Sequence, residues 1–129
     1  MIKPVVIALF LLSGYQSKTI QDDQVYDMTE VDHPPEFIGG KTKFYAFLFN
    51  NFVSPKDEDS YMGSIIYLSF IIDKNGKLIN AKIKKSTHPK IEAAILKALK
   101  KSPKWKPGLN NGIAVSVKYS TFVRLEPSP

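Results

Sequence analysis

Apolar and polar positions alternate along the chain in patterns that define five regular elements. From Lys41 to Phe52, the residues Phe44, Phe47, Leu48 and Phe52 recur at helical spacing, with Tyr45 and Phe49 widening the stripe, which predicts a helix with one apolar face. Asn50-Asn51 and Ser54-Pro55 end it, and Lys56 to Ser60 reads as a charged loop. Ile66, Leu68, Phe70 and Ile72 then occupy every second position, with Ile65, Tyr67, Ser69 and Ile71 between them. That period of two, in β-branched and aromatic residues, predicts a strand whose second face is partly covered. Asp73-Lys74-Asn75-Gly76 follows, where Asn75-Gly76 suits the positive φ angles of a tight hairpin turn, and Ile79, Ala81 and Ile83 continue as the returning strand.

Pro89 suits a helix's first turn and Glu92 its positive end. Ile91, Ala94, Ile95, Ala98 and Leu99 fall at i, i+3, i+4, i+7 and i+8, and Pro103 terminates this second helix. Pro107-Gly108 and Asn110-Asn111-Gly112 read as a turn region. Val115, Val117, Tyr119, Thr121 and Val123 then alternate with Ala114, Ser116, Lys118, Ser120 and Arg124, giving a last strand. The order helix, strand, strand, helix, strand predicts an α+β domain, in which a three-stranded antiparallel sheet carries two helices packed on one face.

Upstream, Met1-Ile2-Lys3 gives a positive start, Pro4 to Leu12 is unbroken apolar, and Ser13-Gly14 follows. This is the order of an export signal. The run is about half as long as a hydrocarbon core requires, so no stable membrane anchor is expected from it; an N-terminal buried strand or helix is the alternative. Tyr15 stands where a lipidated cysteine would be needed. Lys18 to Pro34 is polar and acidic, an extended lead-in closed by Pro34-Pro35. The expected organisation is an export signal at 1–18, a lead-in at 19–33 and one domain at 34–126, exported from the cytoplasm.

The 129 residues include no cysteine and only His33 and His88 as histidines, which removes disulfides, thiolate metal sites and cysteine nucleophiles. The net charge of +6 is unevenly spread. Lys74 to Lys106 holds eleven lysines against Glu92 alone, whereas Asp22 to Asp59 holds nine acids and three lysines. Such polarity steers an acidic partner. Only Arg124 offers a bidentate fork, so nucleic acid is not the expected partner.

Candidate chemistry does not assemble. Asp57, Glu58 and Asp59 read as a solvated loop. Asp73 to Gly76 resembles the opening of a calcium loop, but Lys82 stands where its glutamate is required. Ser86, Thr87 and His88 have no acid nearby to orient the imidazole. Gly39-Gly40 lacks the rest of a nucleotide-loop pattern and reads as a joint before the first helix. No catalytic residue, metal or cofactor is expected, and the chain is not expected to be an enzyme. Trp105, between Lys104 and Lys106 and fixed by Pro103 and Pro107, reads as a lid on the core, with a partner-facing anchor as the alternative.

Four segments together resemble the TonB C-terminal domain family. They are Pro35-Glu36-Phe37-Ile38-Gly39-Gly40, Phe70-Ile71-Ile72-Asp73-Lys74-Asn75-Gly76, Ser102-Pro103-Lys104-Trp105-Lys106-Pro107-Gly108, and the closing strand from Ile113. The residues Pro35, Phe37, Gly39, Gly40, Asn75, Gly76, Pro103, Trp105, Pro107 and Gly108 form its structural motif, in the form common among Bacteroidetes-type members. Ser54-Pro55 stands where the family commonly has Tyr-Pro, Phe122 where it often has proline, and Gly63 lies one residue early. The resemblance implies a three-stranded antiparallel sheet backed by two helices. It also implies binding of an extended transporter segment, the TonB box, at the edge beside the last strand. The expected edge is Ile113 to Leu125, with Ser116, Lys118, Ser120, Phe122 and Arg124 near the docked peptide. The expected partner is an outer-membrane TonB-dependent transporter or another periplasmic protein; the alternative is a structural homodimer paired through its own edge strands. Full transducers add a membrane helix and a proline-rich spacer, which this sequence is not expected to supply, so a stand-alone binding domain is the expectation.

Overall fold

A computed structural model describes residues 24–55, 63–85 and 88–125. In chain order these form β1 (Val25–Asp27), α1 (Lys41–Asn51), β2 (Ile65–Ile72), β3 (Leu78–Lys85), α2 (Pro89–Leu99), β4 (Gly108–Asn110) and β5 (Ile113–Arg124). The export signal, the acidic loop Asp57 to Asp59 and the Ser86-Thr87 pair lie outside the described residues.

Strands run in the order β1-β5-β2-β3, with β4 pairing β5. The central antiparallel trio β5-β2-β3 matches the expected sheet and topology. Two short strands enlarge it and correct the expected count of three to five. β1 pairs parallel with β5 and makes the sheet mixed, while β4 pairs antiparallel with it across Asn111-Gly112. Three-residue strands carry too little alternation to be read from sequence, and main-chain pairing alone defines them.

One face of the sheet is the core. Ile66, Leu68, Phe70 and Ile72 of β2 are buried against Phe44 and Leu48 of α1 and Ile91, Ile95, Ala98 and Leu99 of α2. Each of the leucine, isoleucine and phenylalanine side chains in this set is worth roughly 1.5–3 kcal/mol relative to exposure, so the set dominates the stabilisation. Phe49 does not widen the α1 stripe. Five residues after Phe44 it lies about 140° round the helix and stands 44% exposed. In β3, a register shift lets Asn80 and Ala81 together oppose Phe70, with Asn80 at φ 53°. The shift returns Leu78, Ala81 and Ile83 to the core and takes Ile79 out of the expected alternation, opposite Ile71.

The β2–β3 turn also departs from the expected form. Only Gly76 has positive φ there, not Asn75. The Asp73 carboxylate accepts the amides of Asn75 and Lys77, each at 2.9 Å, so a side chain closes a turn that a shorter loop would close with two left-handed residues. That latter geometry occurs at Asn111 (φ 53°) and Gly112 (φ 78°), between β4 and β5.

Trp105 caps the core. It is 3% exposed and meets Phe37, Phe44, Phe70 and Tyr119 at centroid distances of 5.0–5.4 Å, all edge-on. Its indole N–H donates to the Ser102 hydroxyl at 3.0 Å. Two of the quoted sequence segments meet beneath it. Glu36 and Lys106 exchange main-chain hydrogen bonds, as do His33 and Leu109. Pro35 and Phe37 are buried at this junction. A Cβ on Gly108 would approach the Val117 side chain at 2.6 Å, so glycine is needed where these strands cross.

Candidate functional site

β5 is flanked by β2 along Val117 to Arg124. The direction of its outer main-chain groups follows from its C-terminal end. Leu125 uses its amide on Ser64 and its carbonyl on Gly63, both on the β2 side. Alternation then turns the amides and carbonyls of the even-numbered residues away from β2. In agreement, the Tyr45 hydroxyl of α1 donates to the Phe122 carbonyl at 3.4 Å from outside the ladder, while bonding Thr121 Oγ1 at 3.2 Å.

This outer border is not open along its whole length, as the sequence leads one to expect. Val25, Tyr26 and Asp27 of β1 lie in register with Ser116, Val117 and Lys118. Beyond Lys118, no strand among the described residues pairs with that side of β5. Ser116 and Lys118 therefore face the chain's own strand, while Ser120, Phe122 and Arg124 lie past it. All five share the sheet face opposite the helices, since Val117, Tyr119, Thr121 and Val123 point the other way, towards the core and α1. Phe122 is 54% exposed and lies 6.0 Å from the Tyr67 ring.

The structural-motif residues assemble away from this border, around Trp105 and the helix entrance. Gly39 and Gly40 both have φ near +90°, and the Gly40 amide bonds the Phe37 carbonyl at 2.8 Å. They bend the chain into α1 with no side-chain cap. Pro103, Pro107 and Gly108 hold the segment that carries Trp105. Tyr119, stacked 5.3 Å from Phe70, has its phenol pKa raised, by burial first and by Tyr45 second. Among the described residues no group of acids and histidines is placed to hold a metal ion.

The model of the Gram-negative bacterial TonB protein C-terminal family matches residues 61–124. Those residues belong to the TonB C-terminal domain family. The matched stretch contains β2, β3, α2, β4 and β5, with β1 and α1 lying upstream of it. The family's domain is an energy-transducing and binding module of the periplasm, with a role in transport, and its members interact with outer-membrane transporters. No curated protein and no solved structure matches the chain. Among the described residues, no helix is long and apolar enough to cross a membrane.

The sequence reading missed β1. Its only signal is the pair Val25-Tyr26 in an acidic stretch, which is too short for a period.

Proposed function

We propose that this TonB-type domain captures an extended segment of an outer-membrane transporter, or of another periplasmic protein, on β5 past Lys118, in support of TonB-dependent transport. The observation that carries the reading is the stretch of β5 that continues for six residues past β1 with its even-numbered main-chain groups turned outward. Outward main-chain groups on such a border, here the amide and carbonyl of Ser120 and the amide of Phe122, accept a visiting strand whatever its side chains, while the Phe122 carbonyl already takes the Tyr45 hydroxyl at 3.4 Å. The opposite border is poorly suited. β3 carries Lys82 and Lys84 and two register shifts, the devices that blunt an edge against pairing.

The test is to titrate the full chain with N-terminal periplasmic segments of TonB-dependent transporters from the same genome, followed by amide chemical shifts. Saturable shifts at Ser120 and Phe122 are expected. Ser120→Pro removes an outward amide while leaving the β2 ladder intact, and it should weaken binding at least about 100-fold with little change in melting temperature. A folded Ser120→Pro variant that binds like the parent would overturn the reading. A sedimenting dimer indifferent to such peptides would assign the border to a second copy of the chain instead.

A further inference from the structure

Edge pairing uses the rim of the sheet and leaves its helix-free face without a role. On this face Tyr67 and Phe122 stand directly opposite one another, 46% and 54% exposed, with rings inclined by 49°. With Lys84 and Ser120 they line a groove of about 210 Å³. A second groove of about 170 Å³ is lined by Ser69, Ile71, Asn80, Lys82 and Lys118. Ser69 lies in register between Lys82 of β3 and Ser120 of β5 and is only 5% exposed, so it floors this trough while lysines from two different strands stand at its sides. The register shift at Asn80 and Ala81 leaves Ile79 and Lys82 on the same face of the sheet, and Lys84, two residues beyond Lys82, follows by ordinary alternation. β1 brings one acid here, Asp27 beside Lys118, and its carboxylate already accepts the Thr29 amide and hydroxyl at 3.3 and 3.4 Å.

We propose that this face docks an acidic, extended segment of a partner protein. Its carboxylates would sit over the Lys82–Lys118 trough and beside Lys84, and one aromatic or aliphatic side chain would fill the notch between Tyr67 and Phe122. Three ammonium groups over two adjoining grooves complement a carboxylate-rich strand. The inclined rings make a notch for a side chain rather than the flat platform on which nucleic-acid bases stack. Lysine, a point charge, dominates over the forked guanidinium that reads bases. This docking uses side chains on the face rather than main-chain groups at the rim, and it stands whether or not the rim binds a strand.

The experiment uses the full chain and a capped pentapeptide of four glutamates around one phenylalanine, with its glutamine counterpart as control. Both are followed by amide and aromatic shifts at low salt and at about 0.3 M. Expected are saturable shifts at Tyr67, Ser69, Lys82 and Phe122, binding at least about tenfold weaker for the glutamine peptide, and a comparable loss at high salt. Lys82→Glu/Lys118→Glu should lose about tenfold or more, and Lys84→Glu supplies a second variant if that pair alters folding. Lys82→Glu, on β3 and across β2 from the β5 rim, should weaken the acidic peptide yet leave capture of transporter segments at the rim unchanged, so failure of face docking and failure of edge pairing are separable. Equal binding of the two peptides, shifts confined to the β5 rim, no saturable shift at all, or tighter binding of a twelve-nucleotide thymidine strand would each overturn the proposal.

Discussion

The Gly76 carbonyl accepts the Trp105 amide hydrogen at 2.8 Å, tying the β2–β3 turn to the segment that carries the core tryptophan. Gly76 holds φ +86°, and a Cβ there would be driven into the Trp105 carbonyl oxygen. Both the left-handed backbone and the close approach demand glycine. Gly76→Ala should therefore cost at least about 2 kcal/mol, from strain and backbone displacement together. Urea unfolding measures it; a variant within about 0.5 kcal/mol of the parent would show that the turn and the Trp105 segment are not clamped.

Trp105 is the only tryptophan and touches four other rings. Trp105→Ala should destabilise by about 3–5 kcal/mol. In the parent, tryptophan fluorescence should be blue-shifted and should move red in one step with unfolding. A red-shifted native spectrum, readily quenched by iodide, would contradict the buried placement.

The raised Tyr119 pKa has a defined sign. Its neutral phenol is favoured in the folded state, so the folded protein holds that proton to higher pH than the unfolded chain, whose tyrosines titrate near ten. Stability is then flat with respect to this group below pH 10 and falls as pH rises through the folded-state value. Tyr119→Phe should flatten that alkaline decline in thermal melts between about pH 9 and 11. A decline of unchanged slope would assign it to other groups.

β1 covers Ser116 to Lys118 with only three residues, and Val25 is 45% exposed. Little apolar area holds it there. Tyr26→Pro should release the strand at a cost of about 1 kcal/mol or less. It should speed amide exchange at Ser116 and Lys118 without affecting β2. With the border lengthened by three positions, a captured transporter segment should bind more tightly. Unchanged exchange at these two amides would show that β1 does not protect them.

Sequence and structure agree where an element carries its own period. The alternation of Ile66, Leu68, Phe70 and Ile72, and the stripe from Ile91 to Leu99, are fixed by which side chains must leave water. The same alternation places Ser116, Lys118, Ser120 and Arg124 on one face, which Phe122 shares. Trp105 as a core lid was also legible, because flanking prolines hold a large apolar ring on a rigid bend. The register of β3 was not, since Asn80 adopts a left-handed backbone that shifts every later residue's partner.

The amino-acid pattern by itself thus determined the two helices, the three long strands and the face that each residue takes, since burial selects side chains by their chemistry. Only the tertiary structure decided how much of the β5 border stays open. Main-chain amides and carbonyls are the same in every residue, so Val25 to Asp27 pair with Ser116 to Lys118 through groups that leave no mark in the sequence.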